Sequence, residues 1–343
     1  MRSRLFGCFL LCGTVTAAGA QPLPAGIPTS TVTVKTSVTF DPASGIFQYS
    51  YTLTNSPQSV GQIFSFDLNL SNSSGGAPLS SDGLTNTATG YSGLGDFPTV
   101  SGMIPVGFKS QPVGWDSGPT VHQTATWFSG SIPPGQSQGP FVLTSHAPPG
   151  IRTFVAKPLY EPSDFIKQGI DDPGVSYDDA QKIVDLDKAI QATIQSQGFT
   201  VGPVQPASLT NPSQLIDSLI AAKHQAANLG WLGGKDFIDD LDKQLSEAKQ
   251  ALSRQQDSEA PERIRKFIDM LQQQHREQSE RHRDDRHEGR EHHDDHERFL
   301  SSEAYQLLEV NAEVILSQLP APHKQQRGDD DEHRDGGHQD DGR

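Results

Sequence analysis

The spacing of the apolar residues changes along this chain, from every second residue to every third or fourth. Between residues 27 and 157, apolar residues alternate with polar ones, which predicts strands that bury one face. From Pro212 onwards the apolar residues recur at helical spacing, which predicts amphipathic helices. We therefore expect a multidomain chain in which an all-β region precedes an all-α region.

The alternating region predicts an antiparallel β-sandwich over residues 27–157. The alternation is clearest in residues 32–40, 47–53 and 64–70. Clusters rich in Pro, Gly, Asn and Ser separate these segments, and further strand-like segments follow up to residue 157. Seven or eight short strands with such loops are typical of two packed antiparallel sheets.

The helical spacing predicts a small four-helix bundle over residues 213–319. An amphipathic helix cannot bury its apolar face alone, so four consecutive ones favour antiparallel packing. Between the two regions we expect residues 158–212 to be a Pro-containing linker with one helix at 177–197. The last residues, 320–343, lack apolar periodicity and predict a disordered acidic tail.

Residues 1–20 predict a secretory signal peptide. Two Arg residues precede an apolar stretch at residues 5–15, and Ala18 and Ala20 are small residues that allow cleavage after Ala20. A short N-terminal anchor is the alternative. Cleavage would remove both Cys residues, and an exported protein of this size without Cys is typical of bacteria. We expect a secreted protein, extracellular, on the cell surface or in the periplasm, with no transmembrane segment after cleavage.

The helical region resembles the FIMAH domain, a helical module near the C-terminus of exported bacterial proteins. The segments that carry this resemblance are, in order, 215–220, 223–226, 229–232, 241–245 with 248 and 251–252, 267–268 with 272–274, and 302–308 with 311–313. The resemblance implies a non-enzymatic accessory or surface module and assigns no catalytic residue. It does not account for residues 275–299, where the family has a short link. Residues 27–157 are similar, in fewer features, to sandwich domains of exported bacterial proteins.

Residues 275–299 are a His-rich run in which 21 of 25 side chains are ionisable. If the run is helical, Glu288, His292 and His296 have the spacing i, i+4, i+8, and His292 and His296 could chelate one divalent ion beside His293. Imidazole with carboxylate suits weak binding of Zn, Ni or Cu. Six Arg residues in the run repel a cation, so a solvated charged helix or loop is the alternative.

Aromatic residues supply the other ligand candidate. Trp115 lies beside a turn, where an exposed ring can stack on a sugar, whereas Trp127 lies in an alternating strand and is expected in the core. Trp231 is expected to fill the turn between two helices. Asn311, on an apolar helical stripe, is expected to be a hydrogen-bonded core residue. Residues 135–139 match the GxSxG string of a nucleophile elbow, but Pro precedes it and a strand follows, so we expect a turn.

These observations favour a non-enzymatic exported binding or accessory protein whose sandwich contacts a glycan or protein partner. A divalent-metal-binding protein that uses residues 275–299 is the alternative, and an enzyme in the sandwich is the least favoured hypothesis. The net charge of −15 disfavours nucleic acid as a partner. This charge is unevenly placed, because residues 27–157 hold nine charged side chains and no Glu. The sequence leaves the ligand and the oligomeric state open.

Overall fold

The computed structural model describes residues 29–70, 99–100, 104–111, 124–159, 174–204, 211–256, 258–284 and 298–319. The predicted signal peptide, 1–20, and the predicted acidic tail, 320–343, lie outside these residues, and both stay predictions. Within the described ranges the chain combines antiparallel sheets with helices, and none of these helices is long and apolar enough to cross a membrane.

Strands come first in the chain. They are β1 (Val32–Asp41), β2 (Ile46–Asn55), β3 (Ile63–Asn69), β4 (Thr99–Val100), β5 (Lys109–Gln111), β6 (Thr124–Phe128), β7 (Ser137–Ser145), β8 (Pro149–Pro158) and, after a helix, β9 (Ser196–Pro203). The helices are α1 (Tyr177–Ile194), α2 (Pro212–Asn228), α3 (Lys235–Ser253), α4 (Glu259–Asp284) and α5 (Ser302–Gln318). Two short strands, β10 (Leu232–Gly233) and β11 (Phe299–Leu300), pair next to the helices. We call β1 to β9 the β region and α2 to α5 the helical region.

The β region contains two antiparallel sheets, ordered β1-β2-β7-β4 and β5-β6-β3-β8-β9. The β1–β2 hairpin is the longest regular pair, with Val32 opposite Asn55 and Asp41 opposite Ile46. Its side chains alternate between buried and exposed, which confirms the alternation expected for residues 32–40 and 47–53. Asp41 shapes the turn of this hairpin, because its carboxylate accepts hydrogen bonds from the Ala43 amide and the Ser44 hydroxyl.

Aromatic side chains from the two sheets pack against each other. Phe66 of β3 stacks on Trp127 of β6 at 5.3 Å between ring centroids, and both rings contact Tyr51 of β2 and Phe141 of β7. All four residues are fully buried. The prediction that Trp127 is a core residue is therefore confirmed, and the two sheets share one apolar core.

The prediction that residues 158–212 are a linker with one helix is wrong for residues 196–203, which form strand β9. This strand pairs with β8 from Pro149–Pro203 to Ala156–Ser196, so a helix lies between neighbouring strands of one sheet. Gly198 and Gly202 obscured the strand pattern in the sequence. A Cβ at these positions would lie 2.8 Å from the Phe154 ring and 2.9 Å from Cγ of Arg152, so glycine is needed for close packing. The helix itself was predicted at 177–197 and is observed at Tyr177–Ile194.

The helical region packs its four helices around one apolar core. Each helix contributes buried residues from a stripe of helical spacing: Leu215 and Leu219, Leu241 and Leu245, Phe267 and Leu271, and Leu308 and Ile315. The caps follow the sequence, since the side chain of Asn211 accepts from the Ser213 amide and that of Ser301 from the Ala304 amide. Trp231 lies half-buried at the turn after α2, where its carbonyl accepts from the Ser301 amide.

Helix α5 holds the helical region against the β region. The side chain of Gln306 accepts a hydrogen bond from the backbone N–H of Val38 in β1, at 2.8 Å. The side chain of Asn311 donates to the carbonyl of Pro149, also at 2.8 Å, and to that of Leu307 at 2.7 Å. The expectation that Asn311 is hydrogen-bonded is confirmed, but Asn311 is half-buried at the boundary between the regions and is not a core residue.

Candidate functional site

The predicted ligand contact Trp115 and the predicted metal ligands Glu288, His292, His293 and His296 all lie outside the described residues. The run 275–299 was expected as an insertion between two helices, and its first part, residues 275–284, continues α4 to Asp284. No group of three or more potential metal-ligating side chains occurs within the described ranges. Weak binding of Zn, Ni or Cu therefore stays a prediction, which zinc titration of the full chain against a variant lacking residues 285–297 tests.

His275, the first His of the run, packs between helices α4 and α5. Its ring stacks on Tyr305 at 4.1 Å between centroids and 5° between planes. The Tyr305 hydroxyl donates to Oε1 of Glu309 at 2.6 Å, and the Gln272 side chain donates to the same oxygen at 2.9 Å. This His is therefore part of a helix–helix contact.

Glu309 and Glu313 place two carboxylates one helical turn apart beside this contact. Partial burial and the neighbouring Glu309 carboxylate raise the pKa of Glu313 above its ordinary value. Burial and the hydrogen bond to Glu309 raise the pKa of the Tyr305 hydroxyl. The folded environment therefore disfavours the charged form of the Glu313 carboxylate.

The GxSxG string at residues 135–139 does not form a nucleophile elbow. Ser137 is the first residue of strand β7, and its hydroxyl shares a hydrogen bond of 2.7 Å with the hydroxyl of Thr54. The elbow requires a helix directly after the Ser, whereas a nine-residue strand follows here. The Nδ1 of His146, the residue after β7, lies 3.2 Å from the carbonyl oxygen of Gly45. The described residues around Ser137 therefore form a strand and lack the strand–turn–helix geometry of an elbow.

A strip of polar side chains crosses the interior of the β region. The sequence did not predict this strip. Arg152 is 1% exposed, and its Nε donates to the Pro203 carbonyl at 2.6 Å. The hydroxyls of Thr36 in β1 and Thr200 in β9 lie 2.5 Å apart, so the strip joins the edges of the two sheets. Burial raises the pKa of the Tyr51 hydroxyl, while the Arg152 charge opposes the shift. The signal in the sequence was a charged residue inside the apolar segment 151–156.

The outward face of the β1–β2 hairpin is exposed and nearly uncharged. Of the ten outward side chains, eight are exposed, two are half-buried, and the ionisable ones are Lys35 and, beside the turn, Asp41. The remainder of the β region is also poor in charge: Asp, Glu, Lys and Arg make up six of the 88 residues described between 29 and 159. One of these is the buried Arg152, and two, Asp67 and Lys157, pair with each other at 2.5 Å. A neutral polar surface is therefore the main chemical character of this region.

The helical region has the opposite character and also buries a charge. Asp, Glu, Lys and Arg make up 27 of the 95 residues described between 211 and 319. Lys223 of α2 is fully buried, and its amine forms an ion pair with Asp242 of α3. His224 lies 3.7 Å from the other oxygen of the same carboxylate. Asp242 thus connects α2 to α3. This structural ion pair is enough to explain why the Lys223 amine is buried.

Neither the known family models nor the curated proteins match this chain. The resemblance of residues 213–319 to the FIMAH domain therefore stays a proposal.

Proposed function

We propose that the chain is a non-enzymatic exported bacterial binding or accessory protein, with an N-terminal β-sandwich and a C-terminal four-helix bundle of the FIMAH type. The observation that carries this proposal is that the β region, which has few charged residues, is held against the highly charged helical region. Gln306 and Asn311 of α5 make this attachment through direct hydrogen bonds to the β region. In such an arrangement the β region exposes a surface that can bind a partner, and binding requires no catalytic group in the interior.

The packing of each region supports this architecture. The two sheets of the β region contact each other through the buried aromatic side chains of β2, β3, β6 and β7, as the sheets of a sandwich do. Helices α2 to α5 bury their apolar stripes together, and they follow one another in the order that the FIMAH resemblance implies. The buried apolar side chains of the two regions belong to one cluster.

In this proposal, the sandwich contacts a glycan or a protein outside the cytoplasm. The export signal predicted at residues 1–20 places the chain there, and the low charge of the β region fits an uncharged partner. The helical region and the acidic segments beyond it keep the exported protein soluble, since they hold most of its charge.

A binding panel with the full mature chain tests this function. Neutral glycans, polyanionic glycans and purified surface proteins would be immobilised separately, and binding would be measured by surface plasmon resonance. We expect saturable binding to one class without any change in the partner's covalent structure. Turnover of a bound polymer, followed by mass spectrometry, would assign an enzyme instead. A complete lack of binding would contradict the proposal.

A further inference from the structure

The outward side chains of β1 and β2 form one regular surface, which we call the hydroxyl face. In the strand register, Thr33 lies opposite Thr54 and Ser37 lies opposite Ser50. The face consists of Thr33, Lys35, Ser37 and Thr39 in β1 and Gln48, Ser50, Thr52 and Thr54 in β2, and the pair Asp41 and Ile46 continues it at the hairpin turn. Alternate residues of a strand are about 6.7 Å apart and neighbouring strands about 4.8 Å apart, so the face is an ordered two-dimensional array.

Most hydrogen-bonding groups of this face point to solvent. Thr54 shares a hydrogen bond with Ser137 of the next strand, which extends the array to β7. In the part of the chain that the structure describes, the other Ser and Thr hydroxyls of the hydroxyl face form no side-chain hydrogen bond. Each of these hydroxyls can both donate and accept. Thr side chains are stiff at χ1, so their hydroxyls lose little freedom when a ligand binds.

The small number of charged side chains on the hydroxyl face limits the classes of partner that it can bind. The hydroxyl face has one cation, Lys35, and at its turn end one carboxylate, Asp41, which accepts hydrogen bonds within the hairpin turn. A polyanion would need several cations and a polycation several carboxylates, whereas the face has one of each. Apart from Ile46 at the turn, the face also lacks the aromatic and apolar side chains that form the centre of most protein–protein interfaces and of homodimer interfaces.

We propose that the hydroxyl face binds an uncharged glycan chain, which lies across β1 and β2 and exchanges hydrogen bonds with the Thr and Ser hydroxyls. This inference rests on the proposed function, since it names the partner class and the surface that the sandwich uses. The sugar hydroxyls, like those of Thr and Ser, both donate and accept, so successive sugar units find partners along the array. Several weak contacts along one polymer then add to a measurable affinity.

The test compares two triple variants of the full mature chain. Thr33→Val, Thr39→Val and Thr52→Val together remove three hydroxyls from the hydroxyl face but keep the β-branched shape. The control triple, Thr124→Val, Thr126→Val and Thr153→Val, removes three hydroxyls from the outward face of the other sheet. Isothermal titration calorimetry would use neutral hexasaccharides of glucose, mannose and N-acetylglucosamine, with polygalacturonate as the charged probe.

We expect a neutral hexasaccharide to bind the wild-type chain and the control triple alike, and the face triple to bind it at least about tenfold more weakly. The affinity should change less than about twofold between roughly 50 mM and 500 mM NaCl, because no ion pair is formed. Equal binding by the two triples, or a preference for polygalacturonate, would overturn the inference while the proposed function stands. Dimers in light scattering that the face triple abolishes would assign the face to a second copy. Failure of the full chain to bind any partner would overturn both proposals.

Discussion

The β region and the helical region differ most in how they use charge. In the β region, charged residues are rare, and aromatic rings from two sheets fill the core. In the helical region, charged residues cover the outer faces, and one amine, that of Lys223, is taken into the interior with its partner Asp242. Removing one aromatic ring should therefore destabilise the β region most, and removing one charge should destabilise the helical region most.

Trp127→Ala should have the largest effect on stability. The side chain is fully buried and contacts Tyr51, Phe66 and Phe141, so its removal leaves a cavity at the contact between the sheets. We expect a loss of about 3–5 kcal/mol in the free energy of unfolding, measured by urea denaturation. The control Trp231→Ala removes the same side chain at a half-buried turn of the helical region, where the loss should be smaller. Equal losses for the two variants would contradict the contrast between the regions.

Asp242→Asn should be the most damaging charge change in the helical region. It replaces the carboxylate that pairs with the buried amine of Lys223 by a neutral amide, so no negative charge compensates the amine, and the Ile238 carbonyl is 3.5 Å away. We expect a loss of about 3 kcal/mol, since an unpaired buried charge is expensive. Lys223→Met is the matched control, because an apolar chain of similar length fits the same space and should leave stability close to that of the wild type. A Lys223→Met variant as unstable as Asp242→Asn would show that packing, not charge, decides this site.

The sequence predicted secondary structure well where apolar residues recur at one regular spacing. It predicted poorly where contacts with residues distant in sequence decide which residue is present. The alternation in residues 32–40 and the stripes in α3 and α4 are visible because burial alone selects those residues. Strand β9 was missed because Gly198 and Gly202 are present for close contact with Phe154 and Arg152, which lie far away in sequence.

The residues of the candidate site were hard to predict from the sequence for a similar reason. Lys223 is charged, so sequence reasoning did not count it among buried residues, and its burial depends on Asp242 in another helix. The hydroxyl face was missed for the opposite reason, since single Thr and Ser residues in strands are ordinary. Only the register of β1 against β2 shows that they form one array with a single carboxylate, Asp41, at its turn end. The predicted metal ligands and Trp115 lie outside the described residues, so the structure does not test them.

Gln306→Leu should weaken the attachment between the two regions. It removes the acceptor for the backbone N–H of Val38, a residue that is 5% exposed on the edge of its sheet. We expect a loss of about 1–2 kcal/mol, because a buried donor is left without a partner. Gln306→Glu keeps an acceptor oxygen and should lose less. Hydrogen exchange measured by NMR should show faster exchange at the Val38 amide in the Leu variant, and unchanged exchange there would contradict the attachment.

Acid titration separates the two regions by the sign of the pH dependence. In the β region, hydrogen bonds from the Ser44 side chain and the Ala43 amide lower the pKa of Asp41. Its contribution is therefore present above the pKa of the unfolded chain and is lost as the pH falls through the lower, folded value. In the helical region, Glu313 has a raised pKa, so the folded state binds its proton more tightly than the unfolded state. Acidification from the raised folded pKa to the ordinary value should therefore favour folding at this residue.

Glu313→Gln isolates the second of these effects, which should be small because the side chain is largely exposed and water screens its interaction with Glu309. At neutral pH the variant lacks a carboxylate that the folded state disfavours, so it should be more stable than the wild type, by less than about 0.5 kcal/mol. The difference should shrink as the pH falls through the raised pKa of Glu313, since the wild-type side chain then becomes neutral as well. Thermal unfolding of both chains across mildly acidic pH measures this convergence. A constant gap between the two chains would show that Gln acts through packing, and that the carboxylate pair on α5 has no part in the charge balance of the helical region.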